Sequence, residues 1–86
     1  MEPANHNSLY DSVVKITNDY LGPPAERFVI RQIRNHLQKD PEKLAIDDLK
    51  VLVDWITIGM SFLTEDQTMV DRYIMQLRAL THGSKL

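Results

Sequence analysis

The sequence predicts an all-α protein, a compact four-helix domain with a central apolar third helix. Three observations lead to this fold class. Apolar residues recur at spacings of three and four, which is the period of an amphipathic helix and not of a strand. Breaks containing proline or glycine, together with polar capping residues, divide the chain into four such segments. The 86 residues are enough for one domain and too few for two.

The first predicted helix begins at Ser8, whose hydroxyl can accept a backbone hydrogen bond of the first turn, and ends at Gly22-Pro23-Pro24. Its apolar stripe consists of Leu9, Val13, Ile16 and Tyr20. The two prolines also open the second helix, because first-turn N–H groups have no intrahelical partner to lose. The second helix is predicted to run to the stop signal Asp40-Pro41-Glu42. Its buried side is predicted to consist of Phe28, Val29, Ile33 and Leu37.

The third predicted helix carries two apolar stripes. Asp47 is its expected N-cap, and Ile46 can pack on Val51 as a hydrophobic staple. The first stripe consists of Leu49, Leu52, Val53, Ile56, Met60 and Leu63. The second, here called the Trp55 stripe, consists of Val51, Trp55, Ile58 and Phe62, spaced four, three and four. A helix that is apolar around most of its girth is buried on more than one side, so we expect this helix to be the hub.

The fourth predicted helix follows a capping box at Thr64-Glu65-Asp66-Gln67 and ends at His82-Gly83. Its loop from the third helix is so short that the two helices must run antiparallel. Its core residues are predicted to be Val70, Tyr73, Ile74, Leu77 and Leu80. We expect residues 1–7 to form a mobile arm, residues 8–82 the single domain, and residues 83–86 a tail.

The residue types and spacings of an active site are missing from the sequence. The chain has no cysteine, so thiolate metal sites and thiol nucleophiles are excluded. The acidic pairs Asp47-Asp48 and Glu65-Asp66 lie at helix starts, where carboxylates interact favourably with the helix dipole. The histidines of the chain are His6, His36 and His82. None of them has a second ligand at the spacing that binds a metal. We therefore predict no enzyme, no catalytic residue, no metal and no cofactor.

His36 raises the separate hypothesis of phosphotransfer. It lies in Arg34-Asn35-His36-Leu37-Gln38-Lys39, near positive charge that could stabilise a phosphoryl group. Histidine phosphotransfer domains are also helical bundles, but they usually present a His-x-Leu-Lys-Gly segment in the middle of a long helix. Here the glycine is missing and Asp40-Pro41 ends the helix within a turn. The sequence favours a solvated histidine near a helix end.

The charge distribution argues against nucleic acid as the main partner. The net charge is −2, and the strongest basic surface is one helical face, here called the basic face, formed by Arg27, Arg31 and Arg34. Residues 25–43 carry five cations and three acids, whereas residues 44–80 carry six acids and three cations. A surplus of two charges is small beside the several phosphate contacts of a DNA-binding surface. A small helical DNA-binding regulator that uses the basic face is the alternative to a protein-binding role.

Membrane association is not expected either. No run approaches the roughly 20 apolar residues that cross a bilayer, and the N-terminus lacks the basic and apolar regions of a signal peptide. A cytoplasmic protein is therefore expected. The terminal Ser84-Lys85-Leu86 matches a peroxisomal address, although a cloning remnant or chance would give the same tripeptide.

A protein-binding role is the function that the sequence favours. The Trp55 stripe is either core packed between the first two helices or an interface, and the sequence leaves both open. As an interface it would pair with a second copy, giving a homodimer, or with a partner helix. The candidate interface residues are Val51, Trp55, Ile58, Phe62, Met69 and Met75. Exposed members of the stripe would act together with the basic face.

One segment also bears a resemblance. Asp19-Tyr20-Leu21-Gly22-Pro23-Pro24-Ala25-Glu26-Arg27-Phe28, followed by Arg31-Gln32-Ile33, resembles helical segments attached to bacterial signalling and regulatory proteins. The resemblance implies a regulatory accessory or adaptor, and it assigns no functional residue.

Overall fold

The computed structural model describes residues 8–81, which form an all-α domain. Its four α-helices are α1 (Ser8–Leu21), α2 (Ala25–Gln32), α3 (Ile46–Leu63) and α4 (Gln67–Thr81). A π turn at Ile33–Leu37 and a 3₁₀ turn at Pro41–Lys43 connect α2 to α3. The predicted four-helix fold class is confirmed. The predictions for residues 1–7, for His82-Gly83 and for the tail concern residues outside this range.

One apolar core joins the four helices, and α3 supplies the largest share of it. The buried core residues are Val13, Ala25, Val29, Ile33, Leu44, Leu49, Leu52, Val53, Ile56, Met60, Val70, Tyr73, Ile74 and Leu77. The first stripe of α3 is thus core as predicted, except that Leu63 is 58% exposed. Several other predicted core residues are only half-buried against it, namely Leu9, Ile16, Tyr20, Phe28, Leu37 and Leu80. They lie at the edges of the helix contacts.

The corner between α1 and α2 forms where the sequence predicts it. Gly22 has a φ of +73°, and its N–H donates to the Asn18 carbonyl at 2.9 Å. This left-handed conformation is accessible to glycine and ends α1, while the prolines that follow start α2. The turn therefore brings the C-terminal end of α1 beside the first turn of α2.

The end of α2 differs from the prediction. The helix widens into the π turn and stops at Gln38, which has a φ of 56° in the left-handed region, so it ends before Asp40-Pro41. A left-handed residue breaks the helical ladder before the proline is reached. Lys39, released from the helix, donates a hydrogen bond from Nζ to Asp48 Oδ2 at 2.6 Å. That ion pair connects the α2–α3 link to the first turn of α3.

The N-cap of α3 is also placed differently. Ala45 is the N-cap residue, and Asp47 lies inside the first turn. Asp48 reaches back to accept the Ala45 N–H at 3.0 Å, which is one half of a capping box. The hydrogen bond from Lys39 and the one from Ala45 lower the pKa of Asp48 against the opposing effect of burial. The predicted staple pair, Ile46 and Val51, are 45% and 46% exposed.

At α4 the cap is Asp66, and the capping box predicted from Thr64 is wrong. Asp66 Oδ1 accepts the Met69 N–H at 3.1 Å, three residues on. Thr64 Oγ1 accepts the Asp66 N–H at 3.0 Å and so shapes the link. The Gln67 amide donates to Asp71 Oδ1 at 2.9 Å instead of returning to the backbone. Thr64 and Asp66 thus each accept a backbone N–H, and the bond to the first turn of α4 is the one that Asp66 accepts.

A buried hydroxyl pair that the sequence analysis missed links α1 to α4. Thr17 is fully buried and donates to the Val13 carbonyl at 2.7 Å, while its oxygen lies 2.6 Å from the Tyr73 hydroxyl. Since the single proton of Thr17 is used on Val13, Tyr73 must be the donor to Thr17. The ring of Tyr20 packs at 5.2 Å from that of Tyr73, measured between centroids. Both buried hydroxyl groups are therefore satisfied.

The buried phenol makes stability depend on pH in the alkaline range. Burial raises the pKa of Tyr73 from 10.0 to about 12. The stabilisation is therefore complete below pH 10.0, the unfolded value, and is lost as the pH rises towards about 12. Urea unfolding across this range should show the loss in the wild type. Tyr73→Phe should remove the part of this alkaline loss of stability that comes from ionisation of Tyr73. An identical pH profile in this variant would contradict the assignment.

Gly59 marks a close approach between α3 and α2. A Cβ added there would lie 3.3 Å from the ring of Phe28, which is tight, but this ring is only half-buried and can shift. Alanine is favoured over glycine inside a helix by about 1 kcal/mol. We therefore expect Gly59→Ala to raise the melting temperature by a few degrees, as measured by circular dichroism. A fall would show that Phe28 cannot move.

Candidate protein-binding surface

The Trp55 stripe lies on the outside of the domain. Its members are exposed to 46% at Val51, 37% at Trp55, 49% at Ile58 and 83% at Phe62. They occupy the side of α3 opposite the buried Leu52, Ile56 and Met60, because successive residues are turned by about 100° around a helix. The expectation that α3 is buried on more than one side is therefore wrong within the described chain. An unpaired apolar face of this kind is typical of an interaction surface.

The spacing of the stripe is that of a helix-pairing seam. Steps of four, three and four are the alternating d and a positions of a heptad. From Val51 to Phe62 the seam is about 16 Å long, as the rise of a helix requires. Its flank towards α4 is polar, because Lys50 and Asp54 lie there beside Arg78. An apolar strip with a polar margin is what a partner helix would contact.

His36 covers one face of Trp55. The two rings are parallel within 6° and their centroids are 3.9 Å apart. His36 belongs to the π turn after α2, and a widened turn changes the direction in which the following side chains point. The stack orients the indole while leaving it 37% exposed. It accounts for the position of His36 without phosphoryl chemistry, so phosphotransfer stays an untested hypothesis.

Two methionines predicted at the interface lie apart from the stripe. Met69 is half-buried and packs against the core, whereas Met75 is 70% exposed on α4. Met75 lines a shallow depression with Thr57 and Ile74. Leu63, which was predicted to be core, is instead exposed in the last turn of α3.

The basic face is divided by the fold. Arg27 and Arg31 line a groove of about 440 Å³ between α2 and the end of α3, here called the arginine groove. Its other lining residues are apolar: Leu21, Pro24, Phe28 and Leu63. Arg34 is not among the lining residues, and its charge acts on the Tyr10 hydroxyl, opposing the rise in the pKa of that group.

Glu26, the acid on α2, is bound to α1. The Tyr10 hydroxyl donates to its Oε2 at 2.9 Å. Burial first, and then this hydrogen bond and the carboxylate charge, raise the pKa of Tyr10 above its usual value. None of the six residues that line the arginine groove is acidic. The groove therefore offers two cations beside an apolar surface.

No match is found when the chain is compared with models of protein families, with curated proteins and with solved structures. Among residues 8–81, none of the helices combines the length and apolar character needed to cross a membrane. Over the same residues, histidine, aspartate and glutamate side chains form no group of three or more that could hold a metal ion.

Sequence reasoning missed the arginine groove and the stack of His36 on Trp55. Both combine residues of α2 or its π turn with residues of α3. The sequence held one weak indication of the groove. Phe28 and Leu63 stand at the ends of their predicted core stripes, where partial exposure is common.

Proposed function

We propose that this domain is a non-enzymatic protein-interaction module that pairs with a second copy through the Trp55 stripe and serves as an adaptor or regulator. The exposed heptad-spaced seam on α3 is the observation that carries the proposal. Four apolar side chains are left facing solvent there while the opposite side of the same helix is fully buried. The resemblance of residues 19–28 and 31–33 to helical segments attached to bacterial signalling and regulatory proteins supports a regulatory setting, with the cytoplasm as its expected compartment.

The seam is complementary to itself. The spacing of four, three and four reads the same in both directions. If two α3 helices cross antiparallel on a two-fold axis, it therefore places Val51 opposite Phe62 of the second copy. Trp55 then faces Ile58 of the second copy. Each contact pairs a larger side chain with a smaller one, and antiparallel helices bring a positions against d positions in this way.

Dimerisation would also compensate for the small size of the domain. A chain of 86 residues buries a limited share of its unfolded surface, so its stability margin is narrow. Full burial of a completely exposed apolar side chain contributes about 1.5–3 kcal/mol, and the seam residues, which are 37–83% exposed, gain a corresponding fraction of it. A two-fold interface counts each contribution twice, which is enough to offset a substantial part of the cost of association.

DNA binding through the basic face remains the alternative, and the geometry does not favour it. Two of its arginines border an apolar groove and the third lies towards α1. Phosphate backbones are usually bound by cations among polar groups and helix N-termini.

The test is the mass in solution, by light scattering after size exclusion over a dilution series. We expect twice the 10.0 kDa of one chain, falling towards the monomer on dilution. A mass of 10.0 kDa at every concentration would contradict the dimer.

A further inference from the structure

The arginine groove is a second apolar surface, on a different side of α3 from the seam. It lies where the α1–α2 corner meets the last turn of α3, and Phe28 and Leu63 form part of its apolar lining. Leu63 is 58% exposed and Phe28 half-buried, so apolar area is open to a ligand. The volume of about 440 Å³ is sufficient for one or two large side chains.

The two arginines of the groove have no partner of their own among residues 8–81. The side chains of Arg27 and Arg31 form no hydrogen bond or ion pair with another described residue. They are four residues apart on α2, so their side chains leave the helix on one face, roughly 6 Å from each other. Glu26, which could neutralise them, is held by Tyr10 instead.

This arrangement selects one kind of occupant. Arginine binds carboxylates with paired N–H donors, and two arginines at this spacing match acids three or four residues apart on a helix. The apolar lining requires a large apolar side chain between those acids. Because the groove is partly open to solvent, an extended or helical peptide fits it better than a small molecule that must be enclosed.

We propose that the arginine groove binds an acidic amphipathic segment of a partner protein, with an apolar side chain between Phe28 and Leu63 and carboxylates on Arg27 and Arg31. This inference rests on the proposed adaptor role in one respect, because an adaptor must bind a second protein besides its own copy. The groove and the α3 seam do not share a residue, so a monomer can bind the segment as well as a dimer.

The test is a selection from a display library of random peptides on the immobilised full chain. Peptides that bind the bare support are removed first. The selected peptides should contain Asp or Glu pairs around an apolar residue. In fluorescence anisotropy, the best peptide should bind the double variant and Leu63→Ala at least about 10-fold more weakly, with a marked dependence on salt. Arg34→Gln is the matched control, since it removes a basic-face charge outside the groove, and it should leave the affinity within about twofold.

Three results would overturn the proposal. The first is a selection that enriches no peptide, or enriches peptides without acidic residues. The second is equal affinity for wild type and double variant. The third is the binding of a labelled DNA duplex that competes with the peptides and is lost in the double variant, which would assign the arginines to phosphate.

The Ile58→Asp variant separates this inference from the proposed dimer. It replaces a seam residue that does not line the groove, and it should bind the peptide like the wild type whether or not the protein dimerises. If peptide binding is retained while the wild-type mass is 10.0 kDa, the dimer fails and the groove stands. If Ile58→Asp abolishes peptide binding, the peptide occupies the seam and the groove assignment is wrong.

Discussion

Ile58→Asp is expected to convert the proposed dimer into a folded monomer. Ile58 lies in the middle of the Trp55 stripe and is 49% exposed, so an aspartate there is hydrated in the single chain. In the two-fold pair it would face Trp55 of the second copy, and two carboxylates would lose water without a partner. Because Ile58 is already half-buried in the single chain, its burial in the pair contributes about half of the 1.5–3 kcal/mol of a fully exposed side chain. Losing this contribution on both chains weakens association about 10- to 100-fold, before any desolvation.

Light scattering and far-ultraviolet circular dichroism measure the two halves of this prediction. The mass should fall to 10.0 kDa while the helical signal and the melting transition persist. Phe62→Asp is a second test, because Phe62 is 83% exposed and contributes least to the fold of the single chain. Thr68→Asp adds the same charge to an exposed position on α4 and should leave the mass unchanged. A dimer that persists in both stripe variants would place the interface elsewhere, and loss of the helical signal in both would show that the stripe stabilises the fold.

Leu52→Ala is expected to destabilise the single chain, and Val51→Ala mainly the proposed dimer, although the residues are neighbours. Leu52 is fully buried, so truncating it leaves a cavity in the core and costs about 2–5 kcal/mol of unfolding free energy. Val51 is 46% exposed at the end of the seam, so its truncation should cost the single chain less than about 1 kcal/mol and weaken the dimer.

Denaturant unfolding of both variants, at a concentration where wild type and variants are monomeric, measures the first effect. Sedimentation or light scattering at higher concentration measures the second. The reverse order of stabilities would mean that the Trp55 stripe is the core and the first stripe is the surface. Equal losses would indicate that α3 is buried on both sides, as its composition alone implies.

Local rules of sequence predicted the helices well but their ends less well. Gly22 and the two prolines fix the α1–α2 corner because only particular residues tolerate those backbone angles. The end of α2 could not be predicted in this way, since Gln38 carries no glycine-like signal for its left-handed conformation. The N-caps at Ala45 and Asp66 likewise depend on which of several neighbouring side chains reaches the backbone.

The sequence predicted which residues form the candidate interface, but not whether they lie on the surface of the domain. Periodicity distinguishes two stripes on α3, but both are apolar and either could face the core. Thr17 was missed because a single polar residue within an apolar stripe carries no sign of its partner, which is Tyr73, 56 residues further along the chain.

By itself the sequence determined the fold class, the four helices, the helical spacing of both α3 stripes and the residues of the basic face, because these follow from local periodicity and backbone preference. Tertiary structure decided which stripe became core, where His36 came to lie against Trp55, and which arginines border an apolar groove. These depend on contacts between helices far apart in sequence. Only the packing of the other three helices against one side of α3 leaves the opposite side exposed.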